Sequence, residues 1–382
     1  MHSSKNMKLL YAAAFAQAFI LWYAVEKLFM RQIGFSDTMI ASAVTIMTAA
    51  VLLFETPAGI LADRWSRKGV LIVSNIALIA ATLLASFSTD TLQYTAALVL
   101  LGIYTALYSG VYDSIIYDAT VEQYGNSKRY RRRFGLFQAL SGVALVMGSI
   151  TGSLVGETAG VEWAYWLTIP CTVLSCLLLF FYKEPRLHKA EQTPGLMLYL
   201  SSSLRKLSRP AIRPAVLATV IVGIVMGLQF SFSQLWYLAV ALPVLLYGPA
   251  YAALQACLAF GGLAADRLRL GTVRLALLFA VSSSALTVQN TVVIIAGQIL
   301  LQTTLVIVLI QLSGYLHDRL ESSQRSASNS AISTLTKLGS LPVGLLLGFI
   351  SQEYSIFTAP LLIAGLLATL IFLLKTIDMK QA

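Results

Sequence analysis

Runs of about twenty apolar residues recur along this chain, and they settle its class before any motif is read. At 1.5 Å rise per residue, ~20 residues cross the ~30 Å hydrocarbon core of a bilayer. Twelve segments approach that length: 8–30, 37–61, 70–88, 92–117, 134–156, 162–182, 214–240, 245–265, 273–288, 291–316, 327–350 and 354–374. The ninth is short, and Pro243 to Gly248 blurs the boundary between the seventh and eighth. The segments are apolar on every face instead of alternating over ~10 residues, which excludes a β-barrel. Only 12% of the 382 residues are charged, about half the ~25% that coats a soluble domain. The expected fold is therefore an all-α membrane protein with twelve spans. An ordinary soluble enzyme, a disordered chain and a nucleic-acid binder are excluded, although the formal net charge is +10.

That positive charge orients the chain. With an even number of spans both termini share a side. On that side fall Lys5 and Lys8; Arg64, Arg67 and Lys68; Lys128, Arg129 and Arg131 to Arg133; Lys183, Arg186, Lys189, Arg205, Lys206, Arg209 and Arg213; Arg267, Arg269 and Arg274; Arg319 and Arg325; Lys375 and Lys380. These are 24 of the 27 basic residues, so by the positive-inside rule both termini are expected in the cytoplasm, in an inner (plasma) membrane. The opening MHSSKNMKLLYAAAFAQA mimics a secretion signal, but its apolar run continues to Met30 and reads as an uncleaved first span.

The longest polar stretch, 183–213, is basic and proline-bearing. It divides the chain into an N-terminal six-helix bundle (1–182), a cytoplasmic linker (183–213) and a C-terminal six-helix bundle (214–382). Within the linker, LMLYLSSSLRKL (196–207) suits an interfacial amphipathic helix or an unstructured basic loop equally well. Cys171, Cys176 and Cys257 lie in apolar runs and the three histidines are scattered. Neither a disulfide framework nor a metal site is expected. No phosphate-binding G-x-x-x-x-G-K-[ST] occurs, and no cofactor is expected.

Two segments resemble each other across the linker. Span two ends Gly59-Ile-Leu-Ala-Asp63-Arg64-Trp-Ser-Arg67-Lys68, and span eight ends Gly262-Leu-Ala-Ala-Asp266-Arg267. Both read G-x-x-A-D-R, offset by 203 residues, each after the second span of its half. Such an internal repeat is a common transporter plan. Gly59 and Asp63 share a helical face, where a neighbouring helix can approach the glycine closely. Asp63 is placed to accept hydrogen bonds from a helix N-terminus. Arg64 and Arg67 are placed to pair with Asp118 at the foot of span four, forming a charge latch.

The first copy resembles the loop 2–3 signature of the major facilitator superfamily, and the second its loop 8–9 counterpart. The likeness covers the whole chain: twelve spans, a long central loop, cytoplasmic termini and both signatures in register. It implies two pseudo-symmetric six-helix bundles that rock about a central site lined by spans one, four, seven and ten. Carried over by position, the latch is Gly59, Asp63, Arg64 and Arg67, with Gly262, Asp266 and Arg267 a partial copy. Glu55-Thr-Pro-Ala-Gly59 and Tyr117-Asp118 are similar to a bacterial drug-resistance or efflux branch. The chain departs from that branch at Ser66, where the signature usually has glycine. Span four also lacks the arginine of proton-coupled drug antiporters, and span five carries Gly148, Gly152 and Gly156 without a Gly-Pro.

Ionisable groups within a bilayer are expensive and usually functional. On span one, Phe19, Trp22, Tyr23 and Glu26 are spaced to share one helical face, an aromatic and acidic surface suited to a cationic or aromatic ligand, or to a proton. Pairing of Glu26 with Lys27 or Arg31 is the plainer alternative. Lys337 lies twelve residues after Arg325, about 18 Å along a helix, with Asn329 and Ser333 above it at intervals of four. Asp113 belongs either to the latch or to the transport path. Glu55, beside Thr56 and Pro57, suggests a kink whose freed backbone the carboxylate satisfies. Tyr104, Tyr108 and Tyr112 recur every four residues down span four. Gln229, Ser233 and Trp236 mark span seven, Tyr247, Tyr251 and Gln255 span eight, and Gln298 and Gln302 span ten.

These features favour a secondary transporter that exports a small amphipathic organic solute by alternating access, with protons as the expected coupling ion. Uptake or facilitated diffusion of a metabolite, with Lys337 holding an anion, remains open, as does a non-transporting membrane sensor or enzyme. The expected partners are a small-molecule solute and the lipid bilayer, and a monomer is expected to suffice.

Overall fold

The computed structural model describes residues 2–185, 207, 209–265, 268, 271–320 and 325–377, apart from the side chains of 2–4, 259, 260, 262–264 and 325–327. The second signature's Asp266 and Arg267, and most of the 183–213 linker with its 196–207 segment, lie outside the described residues.

All twelve expected spans are helical. In chain order the helices are α1 (His2–Ala18), α2 (Glu26–Gln32), α3 (Asp37–Arg64), α4 (Arg67–Ser86), α5 (Thr91–Tyr108), α6 (Val111–Tyr124), α7 (Tyr130–Thr158) and α8 (Val161–Phe181). After the linker come α9 (Arg213–Ala239), α10 (Val244–Ala265), α11 (Thr272–Ala285), α12 (Thr291–Arg319), α13 (Arg325–Glu353) and α14 (Pro360–Lys375). Among the described residues nine helical stretches are long and apolar enough to cross a membrane. Three shorter apolar helices, Val244–Leu258, Thr272–Ala285 and Pro360–Lys375, stand at the eighth, ninth and twelfth expected spans.

Polar caps start the helices where the apolar runs begin. Asp90 accepts from the backbone N–H groups of Leu92 and Gln93, both at 2.9 Å, at the start of α5. Asn290 does the same for Val292 and Val293 at the start of α12. Capping satisfies N–H groups that a helix terminus leaves unpaired. The same device opens spans four and ten, a second mark of the repeat.

Two expected helices are broken. Segment 8–30 is not one helix: α1 stops at Ala18, Trp22–Ala24 forms a 3-10 turn, and α2 begins at Glu26. A break inside a membrane needs new partners for the freed backbone. Here the Leu21 N–H donates to Thr168 Oγ1 at 3.0 Å. Gly148 and Gly152 of α7 make room, since a Cβ at Gly148 would sit 2.9 Å from the Ile20 carbonyl oxygen and one at Gly152 would overlap that of Leu21. Span four is likewise split, with Ser109 and Gly110 between α5 and α6. Gly110 adopts φ +73°, a left-handed conformation that favours glycine. By contrast α3 is continuous through Pro57, so the Glu55 carboxylate does not serve a break in its own helix.

The chain forms two compact units. Unit 1 comprises Met1–Phe35, Ala43–Gln192 and Pro243–Ala252; unit 2 comprises Ser36–Ser42, Thr193–Leu242 and Ala253–Ala382. In unit 1, α4 packs on α5 and α8, and α1 on α7 and α8, around a core that includes Leu10, Leu71, Ile115, Phe137 and Leu179. The start of α10 belongs to this unit: Ser153 donates to the Leu245 carbonyl at 3.1 Å, and the Leu245 N–H to Glu157 at 3.2 Å. In unit 2, α9 packs on α12, α13 and α14. The start of α3 joins it, with Asp37 accepting from Ser351 and donating its N–H to Gln352 at 3.1 Å.

Candidate functional site

The signature cluster sits where α3 ends and α4 begins. Ser66 caps α4, accepting from the Gly69 N–H at 2.9 Å. Glu184, just past α8, accepts from the Ser66 hydroxyl at 2.6 Å and the Arg67 N–H at 2.7 Å. A carboxylate at a helix N-terminus answers both the unpaired N–H groups and the dipole. The expected acceptor, Asp63, does not fill this role: its side chain is 48% exposed and lies 3.6 Å from Arg67. The tight partner of Arg67 is Asp118, 6% exposed and in direct contact with the guanidinium. Arg64 is exposed, with no ion pair among the described residues. Among the described residues nothing lies within 4 Å of a Cβ placed at Gly59. The sequence reading missed Glu184, whose only signal was an acid directly after span six within a basic linker.

The face proposed for span one is redistributed by its break. Trp22 is buried and stacks on Tyr165, centroids 5.1 Å apart and planes within 5°. The Tyr165 hydroxyl shares a 2.7 Å hydrogen bond with Tyr94. Glu26 pairs with Lys27 at 2.6 Å, the lysine side chain only 3% exposed; it also faces the hydroxyls of Tyr94 and Tyr165. Both tyrosines lie about one turn into their helices, so this buried pair sits near the end of unit 1 away from the signature. Tyr23 alone of the set turns towards the tyrosines of α5, near Tyr104, Tyr108 and Tyr251.

Tyr104, Tyr108 and Tyr112 remain a ladder across the α5–α6 break, with centroid spacings of 5.8 and 5.6 Å. Tyr104 and Tyr112 are buried, whereas Tyr108 is half-buried. The Tyr112 hydroxyl donates to Gln17 at 2.8 Å. Gln17, which the sequence reading passed over inside an apolar run, is 1% exposed and its Nε2 has no partner. Glu55, half-buried on α3, accepts from Ser109 at 3.4 Å, directly at the break. Glu55 and Ser109 each lie eighteen residues from the start of α3 and α5, about 27 Å along the helix, which places them at one depth. Asp113 is exposed and accepts from Tyr130.

Unit 2 holds a buried amide cluster between α9 and α12. Tyr237 donates to Gln298 Oε1 at 2.6 Å, Gln298 donates to the Ser233 carbonyl at 3.4 Å, and Gln229 donates to the Gln298 carbonyl at 3.5 Å. Gln302, fully buried, has neither amide atom hydrogen-bonded, and Gln229 Oε1 and Ser233 Oγ are also without partners. Buried polar groups are nearly always paired, so these four atoms leave hydrogen-bonding capacity in the cluster that a water or a polar ligand would satisfy. Trp236 instead anchors structure, its indole N–H donating to the Leu286 carbonyl at 2.9 Å. On α13, Lys337 is half-buried, and Asn329 and Ser333 open into a separate cleft beside α9 and α12.

A sequence profile described as Major Facilitator Superfamily matches residues 8–341. The chain belongs to that superfamily. It is a multi-pass membrane transporter of small solutes and not an enzyme. Among solved structures it is similar to a nucleoside transporter, NupG (TM-score 0.79, 13% identity, 98% of this chain and 99% of that one). A peptide transporter, POT, is similar at TM-score 0.77 (12% identity, 97% and 94%). These likenesses establish the fold. Curated relatives match more locally. The "MFS-type transporter TOXA" of Cochliobolus carbonum is 38% identical over 14% of this chain, and the "Tetracycline resistance protein, class H" of Pasteurella multocida is 27% identical over 36%. The matched stretches span 10% and 33% of those two proteins.

Proposed function

We propose that this superfamily member exports a small amphipathic organic solute from the cytoplasm by alternating access, with protons as the coupling ion. The observation that carries the reading is the half-buried pair Tyr23 and Tyr108 beside the Glu55–Ser109 contact at a helix break. Discontinuous helices within a membrane are where transporters of this kind hold ligands, because freed backbone and polar side chains meet there. Aromatic faces next to a carboxylate suit a solute with a ring and a polar or cationic end. The buried amides Gln229 and Gln302 add hydrogen-bonding capacity in unit 2. The stretch shared with a tetracycline resistance protein supports export over uptake.

Glu55 is assigned the proton-coupling role in preference to Glu26, whose carboxylate is already paired with a buried ammonium. In proteoliposomes a panel of aromatic and cationic solutes should move faster with a pH gradient than without one. Glu55→Gln should abolish the gradient-driven component while leaving solute exchange. Tyr108→Ala should weaken solute affinity about 2- to 30-fold, the loss of one cation–π or stacking contact of ~0.5–2 kcal/mol. A Glu55→Gln protein that still responds fully to the pH gradient would remove Glu55 from the mechanism. Failure of every solute to move would remove the export reading.

The orientation is tested separately. In a cysteine-free background, an impermeant thiol reagent added to intact cells should label Thr89→Cys, on the exposed turn before α5, and spare Gln192→Cys in the linker. Thr89 is preferred to Asp90 because Asp90 caps α5. Labelling at Gln192→Cys in sealed cells would reverse the sidedness.

A further inference from the structure

Unit 2 contains a second polar cavity that the amide cluster does not account for. A cleft of about 270 Å³ opens between α9, α12 and α13, smaller than the ~300–1,000 Å³ typical of pockets for drug-sized ligands. Its polar wall carries Ser313, Asn329, Ser333 and Thr336, and its apolar wall includes Leu309 and Ile332. Gly223 sets how closely its walls approach: a Cβ there would lie 2.7 Å from the Thr336 methyl group.

Hydroxyls on membrane helices ordinarily donate back to the carbonyl four residues earlier. Thr219, Thr304 and Thr334 of these same three helices do so, at 2.8, 2.8 and 3.0 Å. Ser313, Ser333 and Thr336 do not. Among the described residues these three and Asn329 make no side-chain hydrogen bond, so four donor–acceptor groups converge on one cleft with their capacity unspent. Among the described residues no lysine, arginine, aspartate or glutamate lines it, and His317 is the one titratable group.

The cleft is also set apart from the amides. On α9 its Gly223 and Thr219 precede Gln229 by six and ten residues, and on α12 its Leu309 and Ser313 follow Gln302 by seven and eleven. At 1.5 Å per residue the nearer separations are about 9–10 Å and the farther about 15–16 Å, towards the end of unit 2 where α9 begins and α12 ends.

We propose that this cleft is a second ligand site, for an uncharged, polyhydroxylated solute about the size of a monosaccharide. Hydroxyl and amide groups in both donor and acceptor roles match the rim of such a molecule, and Leu309 and Ile332 match its C–H face. Apart from His317, the described lining residues supply no counter-charge for a charged ligand. The site stands independently of export and of the Glu55 assignment.

The test is saturation-transfer NMR on the full chain in nanodiscs, with xylitol and glucose as probes and benzoate and choline as charged controls. At about 10 mM probe, where millimolar affinity is visible, both polyols should receive saturation and the charged controls should not. Ser333→Leu and Asn329→Leu, at exposed helical positions, fill the cleft and should abolish the polyol signal. Ser333→Ala removes one hydrogen-bonding group and should weaken binding about 2- to 10-fold. Gln302→Leu should leave the polyol signal intact. Thermal unfolding identifies any leucine variant that misfolds, and Ser333→Ala then decides. Absence of polyol binding, equal saturation of the charged controls, or a signal unchanged by Ser333→Ala and by the folded leucine variants would each overturn the proposal. Loss of the signal in folded Gln302→Leu would merge the cleft with the amide cluster and overturn its separateness.

Discussion

Gly152→Ala should sharply reduce the folded yield, whereas Gly142→Ala, ten residues earlier on the same helix, should leave it unchanged or slightly improved. A Cβ at Gly152 would overlap the carbonyl of Leu21, and at Gly148 it would press on Ile20, both backbone groups. A flexible side chain can rotate away from such a clash, but this backbone is held on two sides. The Leu21 N–H is bonded to Thr168, and the neighbouring Trp22 is stacked on Tyr165. Overpacking costs ~1–3 kcal/mol where neighbours can relax, and a clash with held backbone belongs at or above the upper end. At Gly142 an added methyl meets nothing within 4 Å, and alanine gains the ~0.5–1 kcal/mol that glycine forfeits inside a helix. Gel filtration and thermal unfolding of the two variants make the comparison. Wild-type yield and melting temperature for Gly152→Ala would show that the break in span one does not depend on this seat.

Asp118→Asn should be far more damaging than Asp63→Asn, although both acids touch Arg67. Asp118 is buried and in direct contact with the guanidinium, while Asp63 is half exposed at 3.6 Å. Removing one partner of a buried pair leaves an uncompensated charge and costs ~3–5 kcal/mol, with the lower end apt because the Arg67 side chain is 21% exposed. An exposed pair is worth at most ~1 kcal/mol. Thermal unfolding should rank the two variants in that order. The double variant Arg67→Met/Asp118→Leu should recover stability, since it leaves no orphan charge. It should not recover turnover in proteoliposomes if the cluster has to form and release during the cycle. Recovery of both would reduce the cluster to a structural tie, and equal melting temperatures for the two single variants would reject the ranking.

The candidate site was legible in unequal parts. The Arg67–Asp118 pair followed from the signature and an acid at the foot of span four, because side chains at helix ends have few places to go. The tyrosine ladder of span four survived the break beneath it, since the Tyr108 and Tyr112 rings still meet, tilted, across Ser109 and Gly110. The acidic face of span one did not survive. Its spacing assumed one continuous helix, and once the chain broke after Ala18, Trp22 and Glu26 were carried to Tyr165 while Tyr23 turned towards the tyrosines of α5. Glu184 and Gln17 carry no periodic or motif signal. Their roles exist only because α8 ends beside the start of α4, and because α6 presents Tyr112 to α1.

The sequence by itself determined the class, the twelve helical spans, the repeat and the superfamily. These depend on quantities read along one dimension: run length against bilayer thickness, and two spaced copies of a short motif. Tertiary structure alone decided where a span stops being helical. In a membrane a break is tolerated only where a neighbour takes up the freed backbone groups and leaves room for the displaced chain. For span one that neighbour is Thr168 together with Gly148 and Gly152, more than 120 residues away, and no local pattern encodes their meeting.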